Sequence, residues 1–262
     1  MKTLTLLTAT VVAAITAPLA AQAAPAIALA GDKTLVMFDT DTPDQTKTMD
    51  ITGVTRLVGL DYRPGTKTIV GVTADSVIVT IDPATGAATE VAKMDKPLEM
   101  TDAPVVVNFN PAADRLRYMT GTTNYRVHPD TGAVTVDGEL AFEEGDMHKG
   151  EKPNTVAAAY TNSMGKPEKT AMYNIDATIG ALIQQTKPND GTLKAIGKLG
   201  IDGMPKTYAF DIQATGEAKN TAWLVADNAL YTVNLETGAA TKTADIAGVD
   251  MPIKAITVMP AM

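Results

Sequence analysis

A short turn sequence recurs along this chain of 262 residues, and its spacing limits the folds that the chain can adopt. The clearest copies are Ile81-Asp82-Pro83-Ala84-Thr85-Gly86 and Val127-His128-Pro129-Asp130-Thr131-Gly132. Weaker copies end at Gly180 and Gly238, so the steps between the final glycines (86, 132, 180 and 238) are 46, 48 and 58 residues. A period of this length is typical of repeat folds in which each repeat is one supersecondary unit.

Each copy has the composition of a hairpin turn. An Asp or Asn side chain can bond to the backbone two residues on, Pro presets φ, and the final Gly accepts a positive φ. An apolar segment precedes each copy and a polar-apolar segment follows it, as Val77–Ile81 and Ala87–Met94 do around the first copy. Two such segments around a short Gly-containing loop predict a β-hairpin. The segment 38–44 is a degenerate fifth copy without the Gly.

A second recurring element lies between the hairpins. It alternates apolar and polar residues with the period of a β-strand and, in several copies, ends at a Pro that cannot donate to a ladder. Its copies are Leu60-Asp61-Tyr62-Arg63-Pro64, Val107-Asn108-Phe109-Asn110-Pro111, Phe210-Asp211-Ile212-Gln213-Ala214 and Ile256-Thr257-Val258-Met259-Pro260. Together with the hairpins, this element gives units of four strands at intervals of about 40–50 residues, the pattern of a β-propeller.

The two ends of the chain complete each other. The N-terminal segments 26–29, 33–38 and 45–51 supply three strands of a unit, and Ile253–Met259 supplies the missing first strand. We therefore predict an all-β fold: a single β-propeller of five four-stranded blades, with one blade closed by N-terminal strands plus the C-terminal strand. Six blades are the second interpretation, because residues 155–201 carry extra length. Two separate β-sandwich domains are the third, which the lack of a linker at mid-chain disfavours.

Two motifs resemble the signatures of an uncharacterised family of exported bacterial β-propellers. They are Gly59-Leu60-Asp61-Tyr62-Arg63-Pro64 and Asn110-Pro111-Ala112-Ala113-Asp114-Arg115-Leu116-Arg117. Residues 159–162 and 189–193 also fit this family, so the resemblance covers nearly all of the chain after its first segment. It implies a propeller and an exported location, and it implies no activity.

The first segment has the composition of a secretory signal peptide. Lys2 precedes an apolar run from Leu4 to Ile15, and Ala21-Gln22-Ala23 is a small-x-small cleavage site. We predict a signal peptide over residues 1–23, cleavage after Ala23, and a propeller domain over residues 24–262 in the periplasm or outside the cell. Later segments lack the roughly 20 apolar residues that span a bilayer. The chain contains no cysteine, so the fold is predicted to form without disulfides.

The net charge of the chain argues against one class of partner. At pH 7 the formal charge is −8. An acidic protein repels phosphate backbones, so we predict no nucleic-acid binding.

The candidate ligand-binding residues are polar positions of the predicted inner strands and the charged motif that follows one of them. If these strands surround a central axis, the side chains could converge on an axial channel and bind a small ligand. The alternative is that they hydrogen-bond to one another and to backbone groups where blades meet, because buried polar groups need partners. The residues are Asp61, Arg63, Asn108, Asn110, Arg115, Arg117, Asp211 and Gln213, with Thr257 at the same strand position. Trp223, the single tryptophan, is predicted to be core.

Metal sites and catalytic motifs have little support in the sequence. His128 and His148 are the two histidines, too few nitrogen ligands for a typical transition-metal site. Asp39, Asp41 and Asp44 alternate like the start of a calcium loop, without its Gly and its closing Glu. The sequence contains no Gly-x-Ser-x-Gly, no His-Glu-x-x-His and no phosphate-binding loop.

The function predicted from these observations is that of a non-catalytic, exported binding or scaffolding protein. Its partner would be a protein, a glycan or a small molecule. The alternative is a propeller-type hydrolase or lyase that uses Asp61, Arg63 and Asp211 with a divalent cation such as calcium in the axial channel. The fold alone does not decide between these two, because function depends on the site.

Overall fold

The computed structural model describes residues 23–99, 103–216 and 218–260. The regular elements of these ranges are 21 β-strands in five sheets. The predicted signal peptide lies outside the described residues, apart from Ala23. Within the described ranges, no helix has the length and hydrophobicity needed to cross a membrane.

The five sheets are the five blades of a propeller, each with its inner strand first along the radius. Blade 1 contains β21 (Ile253–Val258), β1 (Pro25–Ala30), β2 (Thr34–Asp39) and β3 (Thr42–Asp50). Blade 2 contains β4 (Leu57–Arg63), β5 (Thr68–Thr73), β6 (Val77–Ile81) and β7 (Ala88–Lys93). Blade 3 contains β8 (Val105–Asn110), β9 (Arg115–Thr120), β10 (Thr123–Val127) and β11 (Val134–Val136). Blade 4 contains β13 (Thr155–Tyr160), β14 (Met172–Asp176), β15 (Ala181–Lys187) and β16 (Thr192–Lys198), with the short β12 (Ala141–Phe142) at its outer edge. Blade 5 contains β17 (Tyr208–Gly216), β18 (Lys219–Ala226), β19 (Ala229–Val233) and β20 (Ala240–Asp245).

The ring is closed by the two ends of the chain. The inner strands contact one another in the order β21, β4, β8, β13, β17 and back to β21. In blade 1, β21 pairs antiparallel with β1, and Ala26 lies opposite Val258. This confirms the prediction of five blades with one blade shared by both termini, and it excludes the six-bladed and two-sandwich interpretations.

Strand alternation produces the core. Each blade presents one face to the preceding blade and one to the following blade, so its apolar side chains divide between two interfaces. In β1, Ala26 and Ala28 pack toward blade 5, whereas Ile27 and Leu29 pack toward blade 2. Five hydrophobic clusters result, one at each blade interface. Trp223 is 1% exposed in the cluster between blades 5 and 1, as the sequence predicted.

The recurrent hairpin turns also join neighbouring blades. In blades 2, 3 and 5 the turn joins the third and fourth strands, and its Gly lies directly against the exit of the preceding blade. A Cβ atom built on Gly132 would lie 2.0 Å from the Lys93 carbonyl oxygen, and one on Gly86 would lie 2.7 Å from that of Asp50. The turn backbone is hydrogen-bonded there, for example from the Asp95 N–H to the Gly132 carbonyl at 3.1 Å. Only glycine permits this approach at a positive φ.

Blade 4 departs from the predicted repeat. The copy ending at Gly180 joins β14 to β15, the second and third strands, and no atom lies within 4 Å of a Cβ built there. The equivalent turn is that between β15 and β16, where Gly191 has a φ of +72°. A Cβ on Gly191 would lie 2.2 Å from the Glu139 carbonyl oxygen, at the exit of blade 3. The assignment of the third copy to Ile175–Gly180 was therefore wrong.

The outer strand of blade 3 is shorter than the sequence predicted. We expected a strand over residues 133–140, but β11 ends at Val136 because Asp137 turns inward to pair with two arginines. The chain then crosses to blade 4, where β12 pairs parallel with β16.

Gly132 and Gly180 provide a matched test of blade docking. Both have a positive φ, +73° and +56°, so Ala at either position carries backbone strain of about 1–2 kcal/mol. Gly132→Ala must also displace the Lys93 carbonyl, and we expect a total loss of about 3 kcal/mol in the free energy of unfolding. Urea denaturation of both variants measures the difference. Equal losses would show that the turn does not dock tightly on blade 2.

Candidate functional site

The inner strands carry a belt of hydrogen bonds between blades. In four of the five blades, one polar side chain of the inner strand accepts a hydrogen bond from a backbone N–H of the next inner strand. The pairs, acceptor first, are Asp61 and Phe109 at 2.6 Å, Asn108 and Tyr160 at 3.1 Å, Asp211 and Val258 at 2.6 Å, and Thr257 and Tyr62 at 3.2 Å. Ala159 holds the equivalent position in blade 4 and has no side-chain acceptor. The four side chains thus tie neighbouring blades together around the axis.

Two carboxylates of this belt are buried close to one another. Asp61 and Asp211 are each 4% exposed, and the Thr257 hydroxyl interacts with both. Burial, with a smaller contribution from the Asp211 charge, raises the pKa of Asp61 well above its ordinary value. Burial also raises the pKa of Asp211 from 3.8 to about 6, against the lowering effect of hydrogen bonds from the Val258 and Ile212 N–H groups and the Thr257 side chain. Both groups therefore resist ionisation relative to an exposed carboxyl.

Arg63 joins blade 2 to two loops of blade 3. Its Nε and Nη2 atoms donate to the Asp114 carboxylate at 2.8 and 2.6 Å, and its Nη2 also donates to Asp130 Oδ2 at 3.0 Å. The guanidinium group holds the pKa of both carboxyls below the ordinary value. The Arg63 side chain is 8% exposed, so this group is committed to the interface between these blades.

Arg117 performs a similar role between blades 3 and 4. It is 1% exposed, and its Nη1 atom donates to Asn124 Oδ1 and to Asp137 Oδ2, both at 2.7 Å. Its other nitrogens reach blade 4, at the Tyr160 hydroxyl and at Asn189 Oδ1, each at 3.2 Å. The alternative in which Arg117 pairs across blades therefore describes its contacts.

The remaining candidates have local partners. Asn110 Oδ1 accepts the Ala112 and Ala113 N–H groups at 3.0 Å, which caps the turn after β8. Arg115 donates to the Asp114 carbonyl at 2.9 Å. The Gln213 Oε1 atom accepts the Trp223 indole N–H at 3.1 Å, whereas its Nε2 has no partner among the described residues. A role of these residues in binding a ligand stays a prediction.

The structure brings only part of the predicted set together. Asp61 and Asp211 meet near the axis with Thr257, whereas Arg63 and Arg117 lie at two different blade interfaces. The axial cavity beside the belt is about 20 Å³, room for about one water molecule. It is lined mainly by the apolar inner-strand residues, from Leu60 to Ile256 in chain order, together with Lys254.

A larger concave site lies between blades 1 and 2. This cleft has a volume of about 490 Å³, within the range of roughly 300–1,000 Å³ typical of small-molecule sites. Its apolar floor and its rim come from the end of β21, from β1 and from the four strands of blade 2. The main lining residues are Ile27, Tyr62, Lys67, Ile69, Ile81, Asp82 and Met259, with the hydroxyl groups of Thr68, Thr80 and Thr89.

The cleft exists because blade 1 presents a small side chain where other blades present large ones. The position is the residue of the second strand that lies opposite the belt residue of the inner strand. It is occupied by Arg117 in blade 3, Tyr173 in blade 4, Trp223 in blade 5 and Ile27 in blade 1. Blade 2 also has a small residue there, Val70, but Arg63 spans that interface instead. Ile27 therefore leaves open the space that Trp223 fills between blades 5 and 1.

The rim of the cleft offers two hydrogen-bond donors. Tyr62 is half-buried on β4, and burial raises the pKa of its hydroxyl. Lys67 is exposed in the turn before β5, where its backbone N–H donates to the Arg63 carbonyl at 2.8 Å. Within the described ranges, neither the Tyr62 hydroxyl nor the Lys67 ammonium group has a hydrogen-bond or ion-pair partner.

Sequence reasoning did not select Ile27, Tyr62 or Lys67 as site residues. The signal was present in the strand after each inner strand, where one unit has Ile and three units have Arg, Tyr or Trp. Its use requires the register between two strands, and for blade 1 these strands come from opposite ends of the chain.

The predicted metal candidates do not converge. Asp39 Oδ1 accepts the Asp41 N–H at 3.0 Å as part of the β2–β3 turn. His148 lies 3.0 Å from Glu151 through its Nδ1 atom, with its ring tilted against Phe142. In the part of the chain that the structure describes, no three His, Asp or Glu side chains are placed to hold one metal ion.

Comparison with known families and structures supports the fold. Residues 34–257 match the model of the family described as Domain of unknown function (DUF4394), in agreement with the resemblance seen in the sequence. A comparison with curated proteins finds no match. A solved structure described as a nidogen/laminin complex is similar at a TM-score of 0.51 with 11% identity, covering 90% of this chain and 98% of that chain.

Two structures from Bacteroides are also similar. A protein of unknown function from Bacteroides thetaiotaomicron has a TM-score of 0.51 and 12% identity, covering 92% of this chain and 68% of that chain. An auxiliary nutrient binding protein from Bacteroides ovatus has a TM-score of 0.45 and 12% identity, covering 82% of this chain and 58% of that chain. At these identities the likenesses bear on the fold alone.

Proposed function

Since the chain belongs to the family described as Domain of unknown function (DUF4394), we propose its function from the geometry of its sites: it is an exported, non-catalytic protein that binds a small ligand between blades 1 and 2. The observation that carries this proposal is the cleft of about 490 Å³. It combines an apolar floor with a few polar groups at the rim, which is the composition of small-molecule sites.

The contacts of the inner polar residues support binding over catalysis. The alternative enzyme would use Asp61, Arg63 and Asp211 in an axial channel. Arg63 is already held by Asp114 and Asp130, and the axial cavity of about 20 Å³ is too small for a substrate. Asp61 and Asp211 hold backbone N–H groups of neighbouring blades. These groups stabilise a rigid ring that can present a preformed cleft.

The start of the propeller is consistent with export. Ala24 is 2% exposed, and β1 begins at Pro25, so cleavage after Ala23 would remove no strand of blade 1. The signal-peptide composition of residues 1–23 and the lack of cysteine support the same location. Mass determination of the protein purified from the periplasm or the medium would test it. A mature chain that starts elsewhere than Ala24 would contradict the cleavage site.

Filling the cleft tests the proposed binding site. Ile27→Trp places in blade 1 the side chain that occupies the equivalent position of blade 5, so the fold can accommodate it in principle. We expect compounds that bind the wild-type protein in a ligand-observed NMR screen to lose at least about tenfold in affinity, because their space is occupied. Thermal unfolding should change little.

Val136→Trp is the matched control, because Val136 is 53% exposed on the outer strand of blade 3. It adds the same side chain far from the cleft and should leave affinity unchanged. Compounds that bind Ile27→Trp as tightly as the wild type would contradict the location of the site.

A further inference from the structure

We infer that the cleft between blades 1 and 2 takes a compact organic anion, with its apolar body on the isoleucine floor and its carboxylate at Tyr62 and Lys67. This inference rests on the proposed function and names the ligand class of the same site. It is argued from the lining, the unpaired donors at the rim and the state of the one acidic group nearby.

The floor selects for an apolar body. Ile27, Ile69 and Ile81 are 8%, 4% and 3% exposed, and they form the bottom of the cleft as part of the cluster between blades 1 and 2. Met259 is packed against the same cluster from the end of the inner strand. A ligand that consists of polar groups alone would lose hydration against this floor without gaining partners.

The rim selects for an acceptor with negative charge. The Tyr62 hydroxyl and the Lys67 ammonium group are both donors, and in the described ranges both are unpartnered. A carboxylate can accept from both at once, and hydrogen bonds between charged groups are roughly twice as strong as neutral ones. The position of Lys67 is fixed by its backbone, which is bonded to Arg63 at a φ of +58°.

Asp82 is the acidic group at the cleft, and its oxygens are engaged within its own turn. Its Oδ1 accepts the Ala84 N–H and its Oδ2 accepts the Thr85 hydroxyl, both at 2.8 Å. These bonds lower its pKa, so the group is ionised and weakens an anion nearby without preventing its binding. The two free donors on the other side of the cleft therefore determine the sign of the ligand.

Three probes of nearly equal size separate apolar body from charge: 3-phenylpropanoate, its neutral amide and 3-phenylpropylamine. Isothermal titration calorimetry on the full mature chain at pH 7.5 measures each. We expect the carboxylate to bind about tenfold more tightly than the amide, and the amine to bind most weakly. Lys67→Met should reduce carboxylate affinity about tenfold and leave amide affinity unchanged, since only the anion uses the ammonium group.

Asp82→Asn is the complementary variant. Asn234 holds the equivalent turn position in blade 5 and accepts the Glu236 N–H at 2.9 Å, so Asn preserves this turn. Removing the negative charge should raise carboxylate affinity several-fold without affecting the amide.

The outcomes distinguish this inference from the proposal beneath it. Equal affinity for carboxylate and amide, or tighter binding of the amine, overturns the anionic ligand class. If these probes are nevertheless lost in Ile27→Trp, the cleft remains the binding site. Failure of 3-phenylpropanoate to bind at concentrations up to about 10 mM also overturns the inference. Probes that bind Ile27→Trp normally overturn the location itself.

Discussion

Replacement of Arg117 by Ala is expected to lower the free energy of unfolding by about 4 kcal/mol. The Arg117 side chain is 1% exposed, and it satisfies the Asn124, Asp137, Tyr160 and Asn189 side chains at the interface of blades 3 and 4. The variant leaves several of these groups without a donor and opens a cavity at the same place. Urea denaturation followed by the fluorescence of Trp223 measures the loss.

Arg126 provides the matched control because it pairs with the same carboxylate. Its Nε and Nη2 atoms donate to Asp137 at 2.7 and 2.9 Å, but its side chain is 33% exposed and it has no contact with blade 4 in these bonds. Arg126→Ala leaves Asp137 paired with Arg117 and should cost about 1 kcal/mol. Similar losses in both variants would show that the contacts of Arg117 with blade 4 contribute little.

The stability of the protein is expected to increase by about 3 kcal/mol as the pH is lowered from about 8 to about 5. Asp211 causes most of this change that can be given a size, because burial raises its pKa from 3.8 to about 6. Between these two values the folded state binds a proton that the unfolded state does not. The stabilisation is therefore complete below the ordinary pKa and is lost as the pH rises through the folded value. Asp61 acts in the same direction.

A different pair of groups limits stability in stronger acid. Arg63 lowers the pKa of Asp114 and Asp130, so their contribution is present above the ordinary pKa and is lost as the pH falls through the folded values. We therefore expect maximal stability in mild acid, with a decline below about pH 4.

Asp211→Asn tests the origin of the neutral-pH slope. Asn108 holds the equivalent belt position in blade 3, so an amide can accept the N–H of the next blade. The variant should have a flatter pH profile above about pH 5 and should be at least as stable as the wild type near pH 8, because no charge is buried there. Urea denaturation across the pH range measures both. An unchanged slope would assign the effect to other groups.

The fold was largely predictable because its repeating units are local. Turn chemistry and strand alternation around Gly86, Gly132 and Gly238 defined three blades, and the strand near Val258 had no partner except the three strands at the N-terminus. Blade 4 was the exception. Residues 175–180 imitate the turn composition, yet what identifies the docking turn is the close approach of Gly191 to the preceding blade, a contact that local sequence does not reveal.

The candidate site was less predictable for a related reason. The polar pattern of Asp61, Asn108 and Asp211 correctly marked one strand position, but the direction of hydrogen bonding between blades depends on how strands pack. The cleft depends on a missing bulk at Ile27, and absence of bulk is visible only after β1 is set in register with β21.

Closure of the ring has a consequence for how the protein is made. Ala26 pairs with Val258, 232 positions later in the chain, so the first strands wait for the last ones. During synthesis four blades can form while β1 still has an uncovered edge, since chains fold from the N-terminus onward. Such distant pairing is slow. A ribosome that stalls even a dozen codons before the stop codon would release a protein that cannot complete its first blade.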